Sequence, residues 1–224
     1  MLFRSTEGAV VAWEHVIDIA DDDRMPLGRL AAIYERQGDK RNLVTTLGRA
    51  ARIAGDAAEE KSLRMRIAVL ESELGDAQAA ASAWQGVLDL DPTDQTALAA
   101  LEDVHAKAGD WMAVQDVLTR KLELARSSSE KTQVLARMAR IAERERGAVD
   151  DAVGHWYAVL ELDNAQLGAY GELERLLAKA ERWHDLVELL ERRADLHGTL
   201  GDGEAELGAL ARGADIWEGP VDDP

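Results

Sequence analysis

Tryptophan returns in this chain at a fixed stride, and that stride limits the folds open to it. Trp13, Trp84 and Trp156 are spaced by 71 and 72 residues. Val16, Val87 and Val159 follow each indole by three, and Ile19, Leu90 and Leu162 by six. Trp111 and Trp183 are 72 apart, as are Leu101 and Leu173, and Gly75, Gly147 and Gly219 keep the same step. One coincidence of tryptophans would mean little. Agreement in phase at a dozen positions means that the chain repeats a structural unit along almost its whole length.

The repeat divides further. In LAALEDVHAKAGDWMAVQDVLTRKLELA, Leu98, Leu101, Val104 and Ala108 mark one apolar face of an α-helix. Gly109-Asp110 breaks it, because glycine accepts left-handed cap geometry. A second apolar face follows at Val114, Val117, Leu118 and Leu122. Each 72-residue block thus holds two helix–turn–helix units of roughly 34–36 residues, and the short turns make neighbouring helices antiparallel. The composition agrees: 46% of residues are apolar but only 4% aromatic, which suits helices better than a β-sandwich.

The spacing resembles the tetratricopeptide repeat (TPR). LGDAQAAASAWQGVLDLDP carries its pattern through Gly75, Asp76, Ala80, Trp84, Val87, Leu90 and Pro92. RGAVDDAVGHWYAVLELDN does so through Gly147, Ala152, Trp156, Val159 and Leu162, with Asn164 in place of the proline. The resemblance implies an all-α, right-handed superhelical solenoid of about 11–12 helices. Five full units are expected at 24–55, 59–92, 94–127, 130–164 and 166–198, with partial units at 6–20 and 202–219. Together they make one array over 6–219, with tails at 1–5 and 220–224. Leu43, Val114 and Leu186 stand where the pattern asks for Ala, and Glu102 and Glu174 where it asks for a small residue. Unit types should therefore alternate between close and divergent helix pairs. Trp84 and Trp156 are read as core rather than as platforms for a ligand, and Trp111 and Trp183 likewise. Trp217 fits no repeat position. MLFRS fits none either and is expected to be a scar, and the entry and exit in mid-unit suggest a fragment of a longer repeat protein. Twenty Arg against six Lys, with two Asn, point to a GC-rich bacterial genome.

The search for chemistry finds little. Of His15, His105, His155, His184 and His197, no two are spaced i,i+3 or i,i+4, so no helix face offers a metal two imidazoles. His105 is expected in the core and the other four on B-helix surfaces. Asp21-Asp22-Asp23, Glu59-Glu60, Asp150-Asp151 and Asp222-Asp223 precede or open helices, where carboxylates favour the positive end of the dipole. Ser127 and Glu130 have capping-box spacing. GDGEAELG lacks the Lys-Ser/Thr of a phosphate loop, and no nucleophile elbow is present. Without cysteine there is no disulfide or thiolate chemistry. No cofactor, metal or catalytic residue is expected. Cytoplasm is favoured, and a periplasmic home fits if a leader precedes this sequence. No apolar run is long enough to cross a bilayer.

What remains is surface. In tetratricopeptide repeats, five positions of the first helix (helix A) line a groove for peptides. Carried onto the five full units, they place Arg36, Lys61, Arg64, Lys107, Arg140, Arg144, Arg175 and Lys179 there as cations. The anions are Glu35, Glu71, Asp103 and Glu143, so the groove is +4 (8 − 4) in a chain of −17. Two readings follow. The cations steer an acidic segment inward, or they pair with Asp and Glu of adjacent helices, as i,i+4 partners do. The chaperone-tail carboxylate clamp of the family needs Asn where Arg29, Met65, Ala100, Arg137 and Glu172 stand, although Arg29 or Arg137 could still hold a carboxylate. The expected function is a non-catalytic scaffold for a peptide or partner protein. The rivals are a docking arm of a larger enzyme or secretion complex, and an RNA-binding helical repeat, which the acidic charge disfavours.

Overall fold

The computed structural model describes residues 6–19 and 23–221; the MLFRS tail, Asp21-Asp22 and Asp222-Asp223 lie outside the described residues. The described residues form twelve α-helices and no strand. They are α1 (Thr6–Ile19), α2 (Arg24–Gln37), α3 (Lys40–Arg52), α4 (Ala57–Leu74), α5 (Ala77–Leu90), α6 (Gln95–Ala108) and α7 (Trp111–Leu124). Then come α8 (Ser128–Arg144), α9 (Val149–Leu162), α10 (Leu167–Lys179), α11 (Trp183–Leu200) and α12 (Gly203–Ile216), with a closing π-helical turn at Trp217–Val221. Even-numbered helices are A-type, the first of a hairpin, and odd-numbered ones B-type. The chain divides into two compact units, one ending at Val117 and the other beginning at Leu118. In the first, each of α1 to α5 packs on the next helix in sequence; in the second, each of α8 to α11 does.

The turns follow from local chemistry. Gly109 has φ +73°, and the Asp110 N–H bonds back to the His105 carbonyl at 2.9 Å, closing α6. Asp110 then opens α7, its carboxylate accepting the Ala113 N–H at 3.2 Å. Two residues thus end one helix and start its antiparallel partner. Gly38-Asp39 and Gly75-Asp76 work alike. The step of 72 puts Glu181-Arg182 at this place between α10 and α11. Glu181 keeps the left-handed backbone, φ +55°, against the steric preference of a side chain. Gly219, third in its series, sits inside the π-turn and takes no positive φ. Ser127 accepts the Glu130 N–H while the Glu130 carboxylate accepts the Ser127 N–H, so the capping box is complete.

The predicted faces are buried except at their ends, where Ala108 is exposed and Leu122 half-buried. Leu98, Leu101 and Val104 are at most 8% exposed, and so are Val114, Val117 and Leu118. Trp84 and Trp156 are each 4% exposed. The Trp84 Nε1–H donates across its hairpin to Ser72 Oγ at 3.1 Å, which resolves the one polar atom that burial would strand. In the first unit Ile17, Leu27, Leu30, Tyr34, Leu43 and Leu47 form a core, and Tyr34 donates its hydroxyl proton to Glu14 at 2.9 Å. In the second, Trp156 and Val159 of α9 join Leu135 and Ala139 of α8 and Tyr170 and Leu173 of α10.

Helix pairing alternates. α4 and α5, and likewise α8 and α9, lie together over more of their length than α2 with α3 or α10 with α11. The closer pairs carry Ala80 and Ala152, 1% and 0% exposed, where the wider ones carry Leu43 and Leu186. A methyl lets two backbones approach; an isobutyl holds them apart. Glu174, in a small-residue place of α10, is 4% exposed. Its two oxygens accept from Arg193 of α11 and Arg212 of α12, so a buried carboxylate there is matched by two guanidinium groups.

Truncating Trp156 to Ala should lower the stability of the second unit by about 3–5 kcal/mol. Trp217→Ala, at a side chain 43% exposed, should change it by about 0.5 kcal/mol or less. Urea unfolding followed by circular dichroism checks both, and equal losses would contradict the core assignment. Glu181→Gly should stabilise the same unit by about 1 kcal/mol, because the left-handed backbone then costs nothing.

Candidate peptide-binding faces on the A-type helices

The eight cations expected on the A-type helices fall four in each unit. In the first unit most are neutralised nearby. Lys61 of α4 reaches Asp91 and Asp94, each at 2.6 Å, across the turn that joins α5 to α6. Arg64 donates Nε–H and Nη2–H to Glu60 at 2.9 and 2.7 Å. Lys107 pairs with Asp103 at 2.6 Å. Arg36 is exposed on α2, its Nε–H turned to the Ala32 carbonyl at 3.1 Å. Of the anions, Glu35 meets Arg66 of α4 at 3.1 Å, and Glu71 lies with Arg64, Ile67 and Gly86 around an open depression between α4 and α5. Local pairing therefore accounts for Lys61, Arg64 and Lys107. Asp91, Asp94 and Glu60 were invisible as partners in the helix-A pattern, because they come from turns and from a position outside it.

The second unit is arranged differently. Arg140, Glu143 and Arg144 stand on α8; Glu172, Arg175 and Lys179 stand on α10. Arg175 joins the helices: its Nη1–H and Nη2–H donate to the two Glu143 oxygens, both at 2.6 Å, and its Nη2–H also reaches Glu172 at 2.8 Å. This two-pronged bond holds the Glu143 carboxyl below the usual carboxylate range against the upward pull of desolvation, with Lys179 and Arg144 adding to the depression. The Arg175 guanidinium is pushed up in return, chiefly by Glu143 and then by Glu172. Arg140 lies over the indole of Trp156, 5.6 Å from its centroid. Arg140, Arg144 and Lys179 are all exposed. Arg175, Arg144 and Lys179 thus all act on Glu143, while Arg140 lies on Trp156; the six charged side chains named from α8 and α10 are four cations and two carboxylates.

Among the clamp places, Arg29 and Arg137 are exposed, while Met65, Ala100 and Glu172 are partly covered. Two histidine expectations need correction. His105 is not core: its side chain is 21% exposed and its Nδ1 lies 3.8 Å from Asp110, because the Gly109 turn brings that carboxylate back beside it. His197 is not on the surface: it is 5% exposed near the end of α11, where α12 folds back over it, and its Nδ1 lies 3.5 Å from Asp202. His15 and His184 are exposed as expected. His184 meets the edge of Trp217, with ring centroids 5.4 Å apart. His155 is half-buried, and burial lowers its pKa. Among the described residues no three metal-ligating side chains converge, and no helix is long and apolar enough to cross a membrane.

Lys61 holds the Asp91 carboxyl down to about 2, with help from the Thr93 hydroxyl and backbone N–H. It depresses Asp94 as well. A depressed carboxylate stabilises the fold above its ordinary range, and that contribution is lost as pH falls toward the folded value. The Asp91 carboxyl resonance should therefore titrate near 2 and move up toward the ordinary range in Lys61→Met, with the Thr93 bonds keeping part of the depression. An Asp91 midpoint that does not move in the variant would refute the pairing.

No family model and no curated protein matches the chain. Solved structures resemble it to different degrees. Against a chain in the structure of Naa15/Naa10 bound to HypK-THB the TM-score is 0.57 at 16% identity, and the match covers 94% of this chain but only 31% of that one. YrrB, a TPR protein with an unusual peptide-binding site, gives 0.43 at 17% identity over 88% of this chain and 97% of its own. A tetratricopeptide repeat protein from Parabacteroides merdae gives 0.42 at 14% identity, over 94% and 86%. With hairpins turned by Gly-Asp pairs and buried indoles in register, the chain has the all-α, tetratricopeptide-like repeat fold.

Proposed function

We propose that the chain is a non-catalytic protein-interaction module and that the α8–α10 face of its second unit takes an acidic peptide segment. The observation that carries this reading is the arrangement around Arg175. It already satisfies Glu143 and Glu172, so the exposed Arg144 and Lys179 act on a carboxylate that is spoken for, and Arg140, one turn along α8, is exposed as well. A local positive excess in a chain of net charge −17 concentrates field where an anionic segment would meet it. Arg140 on Trp156 adds a flat, rigid guanidinium suited to carboxylate recognition. The three cations of the first unit that are spent on local carboxylates favour the second unit as the site.

The non-catalytic part rests on the titrating groups. Each described carboxylate with a shifted pKa, namely Asp91, Asp94, Glu130 and Glu143, is shifted down. All are held ionised by partners, the reverse of what a general acid needs near neutral pH.

Fluorescence anisotropy with acidic, neutral and basic peptides of equal length tests the reading. The acidic peptide should bind best and weaken as salt rises. Arg144→Glu with Lys179→Glu should weaken it about tenfold, or about 1.4 kcal/mol, while leaving the Arg175–Glu143 bond in place. Equal or stronger binding of the basic peptide would overturn it.

A further inference from the structure

Arg175 uses two edges of its guanidinium. Its Nε–H and Nη2–H reach back along α10 to one oxygen of Glu172, at 3.2 and 2.8 Å. Its Nη1–H and Nη2–H point across to α8 and close on the two oxygens of Glu143, each at 2.6 Å. The bonds to Glu172 come from one turn away on the same helix and fix the plane of the fork. The bonds to Glu143 fill it. The Glu143 side chain is 11% exposed and that of Arg175 is 45% exposed, so the fork itself stays within reach of solvent.

The repeat does not need this pair in order to stack. Glu71 of α4 and Asp103 of α6 stand 72 residues before Glu143 and Arg175. Two carboxylates hold the register there, and Asp103 turns to Lys107 of its own helix. Yet α4 and α6 both pack on α5, as α8 and α10 both pack on α9. Glu143 is placed instead as a bound carboxylate would be. Arg175 holds it by two parallel bonds, and Lys179 and Arg144 act on it through their charge. Three of the four cations of this face thus converge on a carboxylate of the chain itself.

We propose that Glu143 is a built-in competitor of the acidic segment: it fills the seat made by the Arg175 fork, with Arg144 and Lys179 beside it, and so holds down the affinity of the face. This rests on the acidic-peptide reading of α8 and α10. Once Glu143 is neutral, Glu172 still orients Arg175, and the seat passes to a carboxylate of the partner.

Fluorescence anisotropy of the full chain with a labelled oligoglutamate peptide tests this, with circular dichroism checking that each variant keeps its helices. Glu143→Gln removes the charge and keeps the shape of the side chain, and it should bind about tenfold more tightly than wild type. Glu143→Ala, which leaves nothing to bond to the fork, should gain at least as much. Glu145→Gln removes the same charge from the exposed C-cap of α8, outside the bonds of Arg175, and should gain about twofold or less. Adding Arg175→Gln to Glu143→Gln should abolish the gain. Equal gains from Glu143→Gln and Glu145→Gln would mean that charge alone matters, and would overturn this inference while the acidic-peptide reading stands. A double variant that keeps the gain overturns it as well. If wild type fails to bind oligoglutamate and Glu143→Gln binds it, the reading of the wild-type face fails and the competitor stands; if neither binds, both fail.

Discussion

A helix of fourteen residues is marginal by itself in water, because nucleation costs more than so few backbone bonds return. Nine of the helices here are 13 or 14 residues long. Each depends on sideways burial against its neighbours in sequence, and the indole–alanine register supplies it. In the close pairs a small residue lets the backbones approach, and a tryptophan on the B-type helix fills the space beside them. That spacing sets where every later side chain can stand, including the charges that face each other from α8 and α10.

The same register explains how an acidic protein keeps cations on its A-type helices. Many of the carboxylates lie elsewhere, at helix starts and in turns. Asp23, Asp39, Asp56, Asp76, Asp94 and Asp202 all accept backbone N–H groups at helix starts. Their charge is held where the helix dipole favours it. Asp94 shows the two uses together, capping α6 while it also binds Lys61.

The periodic elements were legible because they obey local rules. Gly109-Asp110 announces a turn by steric freedom and a capping oxygen, and Leu98, Leu101 and Val104 announce a buried face by spacing. Glu181 shows the limit of that reading, since its backbone adopts the glycine conformation without glycine. His105 and His197 show another. Position within a repeat predicts the average environment, whereas their real exposure depends on Asp110 returning beside one ring and on α12 closing over the other. The charged face was legible as a set of residue types but not as a set of partners. Lys61 and Arg175 look alike on an A-type helix, yet one is spent on Asp91 and Asp94 and the other ties α10 to α8.

By itself, then, the sequence determined the helices, their hairpin turns and which stripe of each is buried, because those follow from backbone sterics, capping and periodic hydrophobicity acting over a few residues. The tertiary structure alone decided that Lys61 and Arg175 are held by carboxylates of other elements and that Glu174 is buried between Arg193 and Arg212. Those pairs join residues 19 to 38 positions apart in sequence, and only packing fixes such distances.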